Sequence, residues 1–248
     1  EDCFGSSVSI SGDYAIVGTP HYNTDYGTAF IFVREGTSWK QQQRLVAPEN
    51  HGRLWFGFSV AISGDYVIIG APRHQVDIEG VPSKERCDFG SAYLFKREGT
   101  SWIEQVNLLA SDGTYSRFFG GSVAISGEYA VAAGDNLYRR EHSGPAYIFE
   151  RSGTDWTEQV KLTTPDSRRA DSFGDSISIS GQYVAVGAPR EDDDDNGTEC
   201  GAVYIFEQDG ASWTQYVRLI IPGGDSWDHF GRSVAICGDY VIVGAPDD

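Results

Sequence analysis

Short segments in which apolar residues alternate with small or polar ones recur along the whole chain and predict β-strands. Residues 59–62 (SVAI) show this alternation, which is typical of a strand with one more deeply buried face. Residues 63–65 (SGD) predict a tight turn, because Gly adopts positive φ without steric cost. Residues 66–69 (YVII) are continuously apolar, as expected of a strand that is covered on both faces. Together they predict a β-hairpin.

Close copies of this hairpin occur five times. They begin at Phe4, Phe56, Phe119, Phe173 and Phe230, with spacings of 52 to 63 residues, which is the range expected of propeller blades. Every copy opens with Phe-Gly-x-Ser followed by Val or Ile. Three copies close on Gly-Ala-Pro, whereas the first has Gly-Thr-Pro and the third Gly-Asp-Asn at that point.

Two more strand patterns follow each of the first four hairpins. The first has the form Gly-x-Ala-Tyr-Ile-Phe and the second runs from a Trp to a Leu, with a Gly-containing connection between them. A unit therefore has four antiparallel strands, A to D, as a propeller blade requires. We predict an all-β fold with a single domain over residues 1–248: a β-propeller of about five four-stranded blades, made of four complete repeats and a half repeat.

The half repeat leaves one alternative open. Blades bury their faces only against neighbouring blades. Either strands A and B alone complete a five-bladed ring, or further sequence or a neighbouring subunit supplies the rest of the fifth blade.

The Phe-Gly and Gly-Ala-Pro ends of the hairpin resemble the FG-GAP repeat, best known from the propeller of integrin alpha subunits. The short Ser-Gly-Asp turn and the Trp-bearing fourth strand are most similar to the variant common in microbial and algal surface proteins. The resemblance covers essentially all 248 residues. It implies a propeller with an extracellular binding or structural role, and it implies no activity.

The charge of the chain limits its partners. With 36 acidic and 19 basic residues, the net charge of −17 repels nucleic acids and anionic membranes and favours cationic partners such as Ca²⁺. No apolar run approaches the roughly 20 residues of a membrane helix. We therefore expect no nucleic-acid partner and no membrane insertion. The absence of Met suggests a processed product or an excised segment.

The acidic run at residues 191–199 (EDDDDNGTE) is the candidate metal site. Asp192, Asp194, Asn196 and Glu199 supply oxygen ligands around a turn at Gly197, as Ca²⁺ loops do. The spacing only partly matches the integrin-type Asp-x-Asp-x-Asp-Gly-x-x-Asp loop, and the run joins strands B and C instead of A and B. The alternative is a solvated acidic loop without metal. Asn196 also begins a glycosylation sequon, and it cannot easily be both glycan anchor and ligand.

The four cysteines are even in number and have no CxxC spacing. Cys3, Cys87 and Cys200 precede A or C strands and share one face, whereas Cys237 replaces a turn Ser on the opposite face. We expect two of the first three to form a disulfide, which leaves one thiol on each face for head-to-tail filaments. The alternative is a buried free Cys237. Cysteine usage, the sequon and the resemblance together favour an extracellular or cell-surface location.

The function expected is that of a non-enzymatic structural or adhesive module with a protein or glycan partner at the cell surface. The alternative is a carbohydrate-binding propeller in which loop aromatics stack on sugars: Trp55, Trp227, Tyr115 and Tyr138. We predict no catalytic residue, because the Ser after Phe-Gly-x occurs in all five copies and the five His residues lie in loops without metal-ligand spacing.

Overall fold

The computed structural model describes residues 3–21, 26–48, 53–75, 89–112, 118–134, 144–164, 171–193 and 197–247. Within these ranges the regular structure is entirely β and contains no helix, so no helix there is long and apolar enough to cross a membrane. This agrees with the all-β prediction.

The strands form four sheets of four strands and one sheet of two, and neighbouring strands are antiparallel. The first sheet contains β1 (Ser7–Ser11), β2 (Tyr14–Thr19), β3 (Thr28–Glu35) and β4 (Ser38–Leu45). The second contains β5 (Val60–Ser63), β6 (Tyr66–Ala71), β7 (Ser91–Glu98) and β8 (Ser101–Leu108). The third contains β9 (Ser122–Ser126), β10 (Tyr129–Ala133), β11 (Ala146–Ser152) and β12 (Asp155–Leu162). The fourth contains β13 (Ser176–Ser180), β14 (Tyr183–Ala188), β15 (Ala202–Asp209) and β16 (Ser212–Leu219). The fifth contains β17 (Ser233–Cys237) and β18 (Tyr240–Gly244). The prediction of four complete repeats and a half repeat is confirmed.

The two ends of the repeat motif meet between neighbouring blades. Within the second hairpin the Gly57 N–H donates to the Gly70 carbonyl oxygen at 3.0 Å. The Phe56 N–H donates to the carbonyl oxygen of Tyr26, just before strand C of the first blade, at 3.1 Å. The Cα of Gly70 faces the third blade so closely that a Cβ there would lie 1.9 Å from the carbonyl oxygen of Gly120. Only Gly permits this approach, which explains why Phe-Gly and Gly-Ala-Pro recur together.

Serine side chains on the A strands connect each blade to the next. In four successive interfaces a Ser hydroxyl accepts the backbone N–H of the turn Gly of the following blade, at 3.1 to 3.4 Å; the Ser and Gly pairs are Ser11 with Gly64, Ser63 with Gly127, Ser126 with Gly181, and Ser180 with Gly238. The motif Ser also has a structural role, since the hydroxyls of Ser59 and Ser176 donate to main-chain carbonyls of the next blade.

An aromatic pair fills the outer part of three interfaces. The first Tyr of strand B in one blade packs edge-on against the Trp of strand D in the next; the pairs are Tyr14 with Trp102, Tyr66 with Trp156 and Tyr129 with Trp213, at centroid distances of 5.8, 5.9 and 5.5 Å. Edge-to-face packing is one of the two arrangements that aromatic rings prefer. The pattern of Trp residues in the sequence predicted the strands but not their Tyr partners.

The first and fifth sheets each expose to solvent the face that points away from the other blades. On the first sheet Val8 and Ile10 are 66% and 65% exposed, and on the fifth Tyr240 and Ile242 are 80% and 75% exposed. The corresponding apolar side chains of the inner blades, such as Val60 and Ile62, are buried. The first and fifth blades therefore do not cover each other, and the described residues form an open arc of blades.

Candidate binding face at the fourth and fifth blades

Two loops lie side by side where the fourth blade meets the fifth. The first joins β14 to β15 and contains the acidic run, and the second joins β16 to β17 and contains Trp227 and His229. Their backbones are hydrogen-bonded: the Trp227 N–H donates to the Thr198 carbonyl at 3.0 Å and the His229 N–H to the Glu199 carbonyl at 3.3 Å. Because both loops connect the same ends of the strands, they form part of one face of the arc.

The predicted calcium ligands fall partly within the described residues. Asp192 and Glu199 are neighbours, since the Asp192 Oδ1 accepts the Glu199 N–H at 2.9 Å. Asp194 and Asn196, and with Asn196 the predicted glycosylation site, lie outside the described residues. Among the residues that are described, no group of three or more Asp, Glu, His or Cys side chains is placed to hold a metal ion.

Two carboxylates of the acidic run are neutralised by an arginine from strand D. The Arg218 guanidinium contacts Glu191 at 2.7 Å and Asp193 at 3.0 Å, and the Tyr204 hydroxyl donates to Glu191 at 2.7 Å. Burial and the hydrogen bond to Glu191 raise the pKa of Tyr204. Burial lowers the pKa of Arg218, but the charge of Glu191 and the hydrogen bonds to Asp193 and Glu191 together outweigh burial, and the net shift is upward. The Arg218 charge therefore removes part of the repulsion within the run.

The third blade contains an equivalent arrangement of a tyrosine, a carboxylate and a cation. The Tyr147 hydroxyl donates to Asp112 at 2.7 Å, and Lys161 forms an ion pair with the same carboxylate. Lys161 lies opposite Tyr147 in the sheet, as Arg218 lies opposite Tyr204. Among the described residues a tyrosine, a carboxylate and a cation thus meet in two of the four complete blades; the loop between β14 and β15 supplies the carboxylate of the fourth blade, and the loop between β8 and β9 supplies that of the third. Pairing strands C and D of these two repeats in the sequence, which places a basic residue opposite the Tyr, could have revealed these contacts.

A small polar cavity of about 130 Å³ lies between the fourth and fifth blades. The ring of His229 lies between two carboxylates, with Nδ1 2.7 Å from Asp247 and Nε2 3.3 Å from Glu199. Arg232 is paired with Asp175 on the same wall. Glu199, predicted as a calcium ligand, is thus already within reach of His229.

The two candidate sugar-binding tryptophans differ in accessibility. Trp55 is only 8% exposed, with Phe58 stacked on its ring at a centroid distance of 5.7 Å and the Arg73 guanidinium 4.2 Å from its centre. Trp55 is therefore a packing residue, and its assignment to ligand binding was wrong. Trp227 is 53% exposed and keeps a surface for a ligand. Tyr115 and Tyr138 lie outside the described residues.

The cysteine predictions need correction at two positions. Cys200 is a buried thiol that is 3.5 Å from the carbonyl oxygens of Glu191 and Gly197, and burial raises its pKa. It therefore has no part in the disulfide proposed among Cys3, Cys87 and Cys200. Cys237 is a thiol too, but it is exposed and not buried. Cys3 is exposed, and Cys87 lies outside the described residues.

Comparison with known proteins agrees with this architecture. The chain is a β-propeller protein. The model of the FG-GAP repeat matches it at residues 1–32, 39–95, 102–149, 156–206 and 213–248, and the chain belongs to the FG-GAP repeat family.

Among solved structures, a protein from Lactobacillus plantarum is similar over 88% of this chain and 56% of its own length, with a TM-score of 0.54 and 13% identity. At that identity the likeness concerns the fold alone. The chain spans only about half of that protein's length. No curated protein matches the sequence.

The ion-pair cluster gives a first prediction. Replacing Arg218 by Gln leaves Glu191 and Asp193 nearly buried without their cation, so we expect the free energy of unfolding to fall by about 3 kcal/mol. The matched control is Arg34→Gln, which removes the exposed pair between Arg34 and Asp13 and costs less than about 1 kcal/mol. Urea denaturation measures both. If Arg218→Gln lowers the free energy of unfolding no more than Arg34→Gln does, the cluster does not stabilise the fourth blade.

Proposed function

We propose that this chain is a non-enzymatic structural or adhesive module of an extracellular or cell-surface protein, which binds a protein or glycan through the face formed by the D–A and B–C loops. The observation that carries the proposal is the contrast between the two faces. The A–B turns repeat almost unchanged from blade to blade, whereas the B–C connections differ in length and charge. Variable loops on a rigid scaffold are the usual carriers of binding function.

The proposed role agrees with how the repeated polar residues are used. The Ser residues of the motif form hydrogen bonds between blades, so their recurrence has a structural explanation. Membership of the FG-GAP family supports an extracellular or surface location, because these repeats are typical of such proteins.

Trp227 is the best placed contact residue on this face. Its ring is exposed, and its backbone, at φ 80°, is fixed by the hydrogen bond to Thr198. His229 packs against the indole at a centroid distance of 6.4 Å. An aromatic ring held in this way loses little conformational entropy on binding, and the acidic chain favours a neutral glycan or a basic protein as partner.

Calcium stabilisation is a second part of the proposal. Asp192 and Glu199 belong to the same loop, and together with Asp194 and Asn196 they would offer the hard oxygen ligands that Ca²⁺ requires. A bound ion would neutralise those carboxylates of the run that Arg218 does not reach.

Head-to-tail self-association is the third part. It is supported by the exposed Cys237 thiol, which lies on the A–B turn of the fifth blade, at the end of the strands opposite to the proposed binding face.

The proposed binding role predicts that removing the Trp227 side chain weakens ligand binding. We expect the protein displayed on beads to bind immobilised glycans or a basic protein such as lysozyme, and Trp227→Ala to weaken that binding about tenfold through the lost aromatic contact. Trp39→Ala is the control, because Trp39 is also exposed but lies on β4, away from this face. Absence of binding to both probes, or equal effects of the two variants, would contradict the proposal.

The calcium part is tested by isothermal titration with CaCl₂ in metal-free buffer. We expect one site with a dissociation constant on the order of 0.1 to 1 mM, as in other extracellular modules, and weaker binding after Asp192→Asn. Asp239→Asn, in the exposed A–B turn of the fifth blade, should bind as the unmodified chain does. No heat from the unmodified chain would disprove calcium binding but not the adhesive role.

A further inference from the structure

The polar cavity between the fourth and fifth blades is built from positions that flank the repeated motif. Its lining residues precede a Phe-Gly pair, follow one, or follow Gly-Ala-Pro; they include Ser172, Asp175, Arg190, His229 and Arg232. Phe and Gly recur in every copy, whereas the residue types just before and just after them change from copy to copy. Variable side chains on a repeated backbone are where such a scaffold can hold a specific site.

The same positions between the second and third blades are filled by aromatic side chains. Trp55 takes the position of Ser172, and its ring lies 5.7 Å from that of Phe58 and 6.3 Å from that of Phe118. The backbone φ is 55° at both Trp55 and Ser172. The backbones therefore correspond, and it is the small and polar side chains that leave a cavity between the fourth and fifth blades.

Positive and negative groups in the cavity wall are paired with each other. Arg232 forms an ion pair with Asp175, whose side chain is only 8% exposed, and Arg190 lies 3.9 Å from Glu199. A charged ligand would therefore meet groups of its own sign as well as groups of the opposite sign. A hydroxyl group suits both, because it donates one hydrogen bond and accepts others.

The volume of the cavity suits part of a sugar residue. A volume of about 130 Å³ corresponds to about four water molecules at roughly 30 Å³ each. Two neighbouring hydroxyls of a sugar can displace such waters and keep their hydrogen bonds. The sugar ring itself stays outside the cavity and needs a surface of its own.

The exposed ring of Trp227 provides that surface. Its centroid lies 6.4 Å from the centroid of His229, which belongs to the cavity wall. Half of the Trp227 side chain is open to solvent. An apolar aromatic face beside a few fixed polar groups is the usual composition of a small-molecule site.

We propose that Trp227 and this cavity bind one terminal, uncharged sugar residue of a glycan. The C–H face of the sugar lies on the indole, and two of its hydroxyls enter the cavity, where one accepts a hydrogen bond from Arg232 and the other donates to Asp175. The net charge of −17 disfavours acidic sugars. The inference rests on the proposed function, since it takes the glycan alternative and names the ligand class and its contacts.

The test applies the full chain to an array of glycans that end in neutral hexoses, N-acetylhexosamines or fucose, and of glycans that end in sialic or glucuronic acid. We expect binding to a subset of the neutral glycans and competition by the free terminal sugar. Arg232→Gln should weaken this binding about tenfold, because a hydrogen bond from a charged donor is lost. Arg34→Gln, which removes the exposed pair with Asp13 at the opposite end of the strands, should leave it unchanged.

A second variant closes the cavity instead of removing a charge. Ser172→Trp introduces the residue that the second blade carries at the same φ, so the backbone can accommodate it. We expect this variant to fold, as circular dichroism can show, and to lose at least nine-tenths of its binding to the neutral glycans.

Four outcomes would overturn the proposal. The first is glycan binding that Trp227→Ala weakens but that neither Arg232→Gln nor Ser172→Trp alters; the proposed binding face would then stand without the cavity. The second is binding of lysozyme without binding of any glycan, which would leave a protein as the partner. The third is a preference for the acidic glycans. The fourth, absence of binding to every glycan and to lysozyme, would overturn the proposed function as well.

Discussion

The close backbone approach between neighbouring blades is the constraint on which the rest of the structure depends. At Gly18, Gly70 and Gly187 a Cβ would lie 1.9 to 2.1 Å from the carbonyl oxygen of the Phe-Gly glycine in the next blade. This contact brings the A strands together, so that the serine hydroxyls reach the next backbone and the apolar B strands are covered on both faces. Each blade therefore needs a neighbour to be complete, as in other repeat proteins.

The same constraint separates the parts of the chain that are free to vary from those that are not. The strands and the A–B turns take part in the same blade contacts in every repeat, whereas the B–C and D–A loops make contacts that differ from blade to blade, such as those between Trp227 and Thr198 and between Tyr147 and Asp112. The acidic run, Trp227 and His229 all lie in such loops. Where a neighbouring blade is lacking among the described residues, the contact surfaces are exposed: Val8 and Ile10 at one end, Tyr240 and Ile242 at the other.

Most of the fold could be predicted from the sequence, because strand alternation, turn glycines and the repeat period are local signals that agree with one another. Contacts between repeats could not be predicted in this way. The Tyr and Trp of each pair belong to different repeats, and the Arg218 contact depends on the strand register.

Trp55 was misjudged because its place in a loop suggested exposure. In the structure its backbone has φ 55°, a value close to that of the residue before Phe-Gly in the other copies, and its ring packs against Phe58. For the calcium site the sequence supplies ligand types, but convergence of their oxygens is a tertiary property.

The most direct test of the central claim compares two glycines at the same position of the repeat. A Cβ at Gly70 meets the carbonyl oxygen of Gly120 in the next blade and the Ser59 hydroxyl, whereas a Cβ at Gly244 approaches mainly the hydroxyl of its own Ser233. If approach between blades is the controlling contact, urea denaturation of Gly70→Ala will show a loss of about 3 kcal/mol or more in the free energy of unfolding, and Gly244→Ala will lose less than half as much. Equal losses in the two variants would contradict this account.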